Sequence, residues 1–565
     1  MTLTSSLLLL SVLAFSQASP TGHKKPIEHK SPTQQLQWGP CGDILTEILP
    51  ANTTAPPVFD CATLPVPLDY TDEHSPLLNL SLVRVKATQE PVLGSVLTNP
   101  GGPGGSGVEN IVLGYPLYQE VLGGQFNLIG WDPRGTGKTI PFLCDIPPAN
   151  ATEFVPEAQQ NLTNTLLADG WTTAEAYAEV CYDAQRDTGS FLSTAFVARD
   201  MIEISDALCE PDVKYFGTSY GTQLGSTFAA MFPDRVGRVL LDAVVNPKDY
   251  VAGPKFTWLA DTEKVYNSFF SECASFPDNC ALLPLLNGTN TTSDPAVLGP
   301  ALRAAVDAQV LALLDPALNL GSAGPQLYRT YKEALRGAMY SPSLWPTYAR
   351  ALADVLIRGN TTALDEATPA PSRYNPSTDN FFGISCGDTP WRADVAEDLI
   401  PIAERQQEVS YFSDTFYDTA TWRCAAWKFE AAELYEGDFV AKTKNPVLLV
   451  GGTHDPITPL MSAFNASAGF EGSVMLTNDG FGHSFLNEPS QCVYEAVRKY
   501  FITGELPAKG TVCKADRRPF DAAAGGDNTT VAVGNTKRSV EEDALRKARE
   551  AMDRMRIREH APFGI

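Results

Sequence analysis

The sequence runs to 565 residues, 44% hydrophobic and 19% charged. Those are the proportions of a folded chain with core enough for one large domain or several, not of a disordered one. The formal net charge of −24 argues against nucleic acid as a partner, because holding phosphates takes concentrated Lys and Arg.

The chain opens on an apolar run, Leu7–Phe15, followed by the small-x-small cleavage pattern Ser16-Gln17-Ala18. Residues 1–19 therefore read as an export signal, with a secreted, extracellular product as the expectation. The run is too short to cross a bilayer, and no membrane association is expected. Residues 20–37 form a polar lead-in.

Leu78–Val85 alternates with period two and is predicted as a strand. Gly94–Thr98 is a short apolar strand that feeds Asn99-Pro100-Gly101-Gly102-Pro103-Gly104-Gly105-Ser106-Gly107. Phe126–Trp131 is the next strand and runs into Asp132-Pro133-Arg134-Gly135-Thr136-Gly137. A helix over Ser193–Leu208 precedes the strand that starts at Val213, a second helix spans Thr222–Phe232, and a strand follows at Val239–Val244. Strand and helix in alternation predict a mostly parallel sheet with helices on both faces. Residues 38–250 are assigned to the first part of this α/β core.

Residues 251–440 break the alternation. They are helical and aromatic-rich, with Pro-rich interruptions, and read as an inserted helical cap. The core resumes over 441–513, with strands at Pro446–Gly452 and Ser473–Thr477 and a final helix over Cys492–Phe501. Residues 514–565 form a charged tail of eleven basic and nine acidic residues.

Eleven cysteines contain no C-x-x-C pair, so no metal site is expected. In an oxidising compartment, pairing by nearest neighbour gives Cys41–Cys61, Cys144–Cys181, Cys273–Cys280, Cys386–Cys424 and Cys492–Cys513. That leaves Cys209 as a buried free thiol, and other connectivities remain open. Nine Asn-x-Ser/Thr sequons (at 52, 79, 150, 161, 287, 290, 360, 465 and 528) suit an exported glycoprotein.

The stretch that carries chemistry is Gly217-Thr218-Ser219-Tyr220-Gly221. It stands between a buried strand and a helix, the setting of a nucleophile elbow. Of six histidines, only His454 and His483 follow Ser219 within the core. His483, in Gly480-Phe481-Gly482-His483-Ser484, lies between the last predicted strand and the last helix and is the candidate base. Asp455, directly after a buried strand, is the candidate acid, with Asp242 as its rival. The order Ser219, Asp455, His483 is that of α/β-hydrolases. His454 should face away. Two N–H groups are needed for an oxyanion, and Tyr220 and Gly102 are the candidates.

Two other patterns compete. Gly102–Gly107 with Asp132 matches a dinucleotide fingerprint, but Pro100 and Pro103 are poorly placed for it. Gly137-Lys138-Thr139 lacks the first glycine of a P-loop. No cofactor is expected.

Together these residues resemble the tripeptidyl aminopeptidase family of secreted α/β-hydrolases, relatives of the proline iminopeptidases. The resemblance rests on Asn99–Gly107, Asp132–Gly137, Gly217–Gly221, Asp455 with Thr458-Pro459, Gly482-His483, Cys386-Gly387-Asp388 and Cys424-Ala425-Ala426-Trp427. It spans roughly residues 40–513, and Pro100 stands where proline iminopeptidases have His. It implies serine hydrolysis of short peptides from a free N-terminus, with an esterase or lactonase on the same scaffold as the alternative. An exopeptidase needs a carboxylate for the substrate ammonium. Asp261, Glu263, Asp388 and Glu430 are available, and the sequence selects none.

Overall fold

The computed structural model describes residues 35–50, 53, 56, 58–144, 170–286, 293–314, 323–358, 372–416 and 421–521. The predicted export signal, most of the lead-in and seven of the nine sequons lie outside them. The two described sequon asparagines, Asn79 and Asn465, are both exposed.

The strands are β1 (Phe59–Pro67), β2 (Leu77–Val85), β3 (Ser95–Asn99), β4 (Asn127–Trp131), β5 (Val213–Thr218), β6 (Val236–Asp242), β7 (Leu448–His454), β8 (Val474–Phe481) and β9 (Val512–Lys514). They form one sheet in the order β1-β2-β4-β3-β5-β6-β7-β8-β9. β2 is antiparallel to both β1 and β4, and every later pairing is parallel. The longer core helices are α1 (Gly107–Leu122), α2 (Trp171–Ala184), α3 (Thr194–Ala207) and α4 (Tyr220–Met231). After the insertion come α11 (Leu460–Ser467) and α12 (Gln491–Thr503). The insertion itself holds α5 (Thr262–Ser275), α6 (Pro295–Ala312), α7 (Ala323–Tyr340), α8 (Trp345–Arg358), α9 (Asp379–Gly387) and α10 (Ile400–Val409).

Successive side chains on a strand point to opposite faces, and the central strands feed two cores. Phe216, Leu240 and Leu448 pack with α1 and α12, whereas Tyr215, Leu241 and Leu449 pack with α3, α4 and α11. Burial on both faces is why these strands read as apolar runs rather than alternations. Local signals set the helix ends. Ser106 Oγ accepts from Glu109 N at the start of α1, and Gly123 closes that helix at φ +78°.

The sequence reading missed β1, which carries Pro65 and Pro67 at the sheet edge where a missing N–H is tolerated. It also missed β9, only three residues long. The nucleophile helix begins at Tyr220, two residues earlier than predicted, because Ser219 alone makes the turn. All five nearest-neighbour disulfides are present. Cys209 is a correction: the thiol is free but exposed, since the residue closes α3 at φ +59° on the surface.

The tail also begins later than the sequence suggested. Residues 515–521 fold back over the cap, where Phe520 is buried against Phe269 and Trp345. Arg518 reaches both oxygens of Glu272, at 2.9 and 2.7 Å. Residues 522–565 lie outside the described chain.

Candidate active site

β5 ends at Thr218 and α4 begins at Tyr220, so Ser219 alone makes the turn. Its backbone stands at φ +58°, ψ −124°, a strained conformation that persists only where its surroundings impose it. Ser219 N donates to the Asp242 carbonyl at 3.0 Å. A Cβ on Gly217 would lie 2.3 Å from Gly221 O, and one on Gly221 would lie 2.7 Å from Asn99 O, so only glycine fits on either side. Ser219 is half-exposed, and its Oγ bonds to no group among the described residues.

The glycine-rich loop lies against this turn. A Cβ on Gly101 would come within 2.7 Å of Ser219 Cβ and 3.0 Å of Tyr220 N. Gly101 N is taken by Asn99 Oδ1 at 3.0 Å, whereas Gly102 N has no partner among the described residues. Tyr220 N heads α4, where the first N–H groups lack intrahelical acceptors.

Asp132 is spent inside the protein. It accepts from Ser106 Oγ at 2.5 Å, Tyr374 OH at 2.7 Å and Lys138 N at 3.0 Å. Its carboxyl is raised by complete burial. With its oxygens committed to the loop, it is not free for a ribose, and the dinucleotide reading loses its acid.

Asp455, directly after β7, is fully buried. It accepts from Ile457 N at 2.9 Å, Thr458 N at 2.8 Å and Thr458 Oγ1 at 2.6 Å. His483 Nδ1 lies 2.9 Å from Asp455 Oδ2 and 3.1 Å from Oδ1. With Nδ1–H donated there, Nε2 is the nitrogen left to take a proton. Thr458 Oγ1 also lies 3.1 Å from Nδ1. The sequence reading gave Thr458 no role, although its place three residues after the acid was visible.

The rival Asp242 accepts instead from Ser484 Oγ and Phe485 N. Ser219 Oγ and the imidazole are not hydrogen-bonded to each other; in a free enzyme such bonds are often long and tighten around substrate. His454 faces away as predicted. It bonds Thr453 Oγ1 at 3.0 Å and packs on Phe481, and burial pulls it down to about 4.

The alpha/beta hydrolase fold profile matches residues 94–302, which include Ser219, and the TAP-like protein profile matches residues 408–513, which include Asp455 and His483. The chain has the α/β-hydrolase fold and carries a TAP-like segment over residues 408–513. It is similar to the serine protease Hip1 of Mycobacterium tuberculosis, 27% identical over 503 residues that make up 85% of this chain and 91% of that protein. It is similar too to the tripeptidyl aminopeptidase of Streptomyces lividans, 26% identical over 506 residues, 86% of this chain and 87% of that one. Carboxylesterase B of M. tuberculosis is 28% identical over 500 residues, 85% and 90% of the two chains.

The cap touches the candidate base directly. Tyr340 O accepts from His483 N at 2.9 Å, and the Tyr340 ring meets the imidazole edge-on at 5.1 Å. Burial raises the Tyr340 hydroxyl to about 12, so it stays neutral.

The four cap carboxylates differ sharply. Glu263 is spent on Arg303 at 2.7 Å and Tyr411 N at 2.9 Å. Glu430 is exposed. Asp388 is buried and accepts from Thr194 N at 2.7 Å, Thr194 Oγ1 at 2.6 Å and Tyr250 OH at 2.9 Å, while Tyr220 OH meets Thr194 Oγ1 at 2.5 Å. Burial pushes Asp388 up to about 6. Buried Lys255 lies over the Tyr250 and Trp258 rings, and burial pulls it down to about 8. Asp261, at the start of α5, is half-buried and close enough to Asp455 for their charges to interact.

Proposed function

We propose that the chain is an exported serine aminopeptidase that releases short peptides from free N-termini through a covalent acyl-enzyme. The observation that carries this reading is the buried Asp455–His483 pair. It lies on the loops after β7 and β8 of the sheet whose β5 ends in the strained Ser219. His483 Nε2 takes the Ser219 hydroxyl proton as Oγ attacks the scissile carbonyl, and Asp455 holds the imidazolium that forms. Tyr220 N–H and Gly102 N–H receive the oxyanion. The tetrahedral adduct collapses, the C–N bond breaks, and the leaving amine takes the proton from His483. Water then repeats the cycle on the ester, delivering the acyl group as an acid and restoring the Ser219 hydroxyl.

The peptide reading is supported by relatives named serine protease and tripeptidyl aminopeptidase that align along most of the chain. Among the four cap carboxylates, Asp261 best suits a substrate ammonium, because it is partly open and, among the described residues, not paired to an arginine. Export is supported by the Leu7–Phe15 run and the five disulfides, which persist in oxidising compartments. A carboxylesterase relative of similar identity favours short acyl esters as a second reading.

The deciding assay sets the purified protein against tripeptidyl chromogenic amides and short acyl chromogenic esters. A kcat/KM for amides within tenfold of that for esters or higher is expected, with both activities lost in Ser219→Ala. Turnover of esters alone would move the assignment to a carboxylesterase.

A further inference from the structure

Asp242 ends β6 and is 1% exposed. A carboxylate buried to that degree is costly unless its lone pairs are used. No Lys or Arg among the described residues pairs with it. Its partners come instead from the two sides of the chemistry. Its carbonyl accepts from Ser219 N at 3.0 Å, and its Cα pairs in register with Thr218. Its carboxylate accepts from Ser484 Oγ and, at 3.4 Å, from Phe485 N, the two residues after His483.

Ser484 stands at φ +81°, a conformation a non-glycine residue keeps only when held. Its Oγ, besides donating to Asp242, accepts from Leu486 N at 3.1 Å and so braces the loop from inside. The Phe485 ring stacks on Phe216 of β5 at 6.0 Å. A hydrophobic residue at 242 would fill the same space without holding Ser484, so packing alone does not account for the carboxylate.

We infer that Asp242 is a positioning residue that ties the base loop to the nucleophile turn and thereby sets the approach of His483 to Ser219. This rests on the proposed roles of Ser219 and His483. The backbone of residue 242 fixes one partner and its side chain fixes the other, so the two can move only together. Asp455 orients the imidazole about its own axis, whereas Asp242 anchors the loop that carries it. The carboxylate lies near enough for its charge to act on both His483 and Asp455.

The test uses Asp242→Asn and Ser484→Ala in the full-length enzyme, with kcat, KM and the unfolding midpoint measured for each. kcat is expected to fall ~10- to 100-fold in both, since a misplacement of about 1 Å costs that much, with KM within about twofold. Should Asp242→Asn fail to fold, Ser484→Ala decides the outcome through kcat alone.

Wild-type kcat in the folded variants, or a loss of kcat only in step with a lowered unfolding midpoint, would overturn the role. Ser219→Ala and His483→Ala separate the two levels. If they are inactive while Asp242→Asn and Ser484→Ala turn over normally, only the positioning role fails. If they stay active, the underlying site assignment fails with it.

Discussion

In the sheet, shape is set by ladders of backbone hydrogen bonds, and each strand divides its side chains between two cores. In the cap, buried side chains are joined to one another: Lys332, fully buried, reaches Asp414 at 2.5 Å, Tyr328 OH at 3.1 Å and Tyr411 O at 2.5 Å, and its ammonium lies 3.7 Å from the centre of the Tyr411 ring. Phe269 meets Phe270, Trp345 and Phe520 in the same cluster. Backbone ladders fix positions with little regard to which side chains are present. A side-chain network fixes them only while its members are kept. The sheet therefore suits the proposed catalytic groups, Ser219, Asp455 and His483, and the cap suits a surface that varies with substrate.

The division implies that changes at strand ends should act on kcat and changes in the cap on KM or stability. The largest expected effect belongs to Asp455→Asn. One oxygen can still accept from Ile457 N and Thr458 N, so the loop should hold. The amide cannot accept from the imidazole N–H as the carboxylate does, which leaves the ring in the wrong tautomer. kcat is expected to drop by about 10⁴, with KM nearly unchanged. Steady-state kinetics beside an unfolding curve check this, and a loss of less than tenfold would show that the acid lies elsewhere.

A second effect joins the two regions. Asp242 in the sheet and Asp388 at the end of the cap helix α9 are both fully buried, with carboxyls raised to about 7 and about 6. A folded carboxyl that titrates above its ordinary value of 3.8 holds a proton the unfolded chain has already released. The stability it contributes is complete below about pH 4 and is lost as pH rises through 6. For Asp388 the shift of roughly two units corresponds to about 3 kcal/mol across that window. Asp388→Asn should therefore gain on the wild type as pH rises from 4 to 7, which unfolding midpoints measured across that range would show. A constant offset between the two proteins would mean that Asp388 titrates normally.

How much of this was legible in the sequence follows the same division. Apolar runs around residues 97, 129, 216, 240 and 448 gave the central strands because parallel strands buried on both faces leave few other patterns. The glycines beside Ser219 and the order of Ser219, Asp455 and His483 named the candidates, since tight turns and sheet-edge loops constrain residue type locally. The cysteine pairs also followed from order along the chain. Tyr340 against His483 could not be found that way: 143 positions separate them, and nothing in the spacing of α7 marks its last residue as a partner of the base. The same holds for Thr194 with Asp388, and for Phe520, which a charged tail disguised. β1, with two prolines in nine residues, lacked the pattern its pairing with β2 makes possible.

Asp261→Asn carries the smallest expected effect and bears most directly on the division. The residue belongs to the cap, yet its charge acts on Asp455. Burial raises its carboxyl, Lys264 draws it back down, and it remains partly open to a ligand. If it holds the substrate ammonium, losing the charge removes one exposed ionic contact. KM for tripeptidyl amides should then rise about tenfold, since a charge-assisted hydrogen bond is worth roughly 1.5–3 kcal/mol, while kcat keeps its value. Substrates with an acylated N-terminus should be indifferent to the change. If kcat falls instead and KM stays, Asp261 acts through Asp455 rather than on substrate. The boundary between the part that performs the reaction and the part that selects the substrate would then run through α5, not around it.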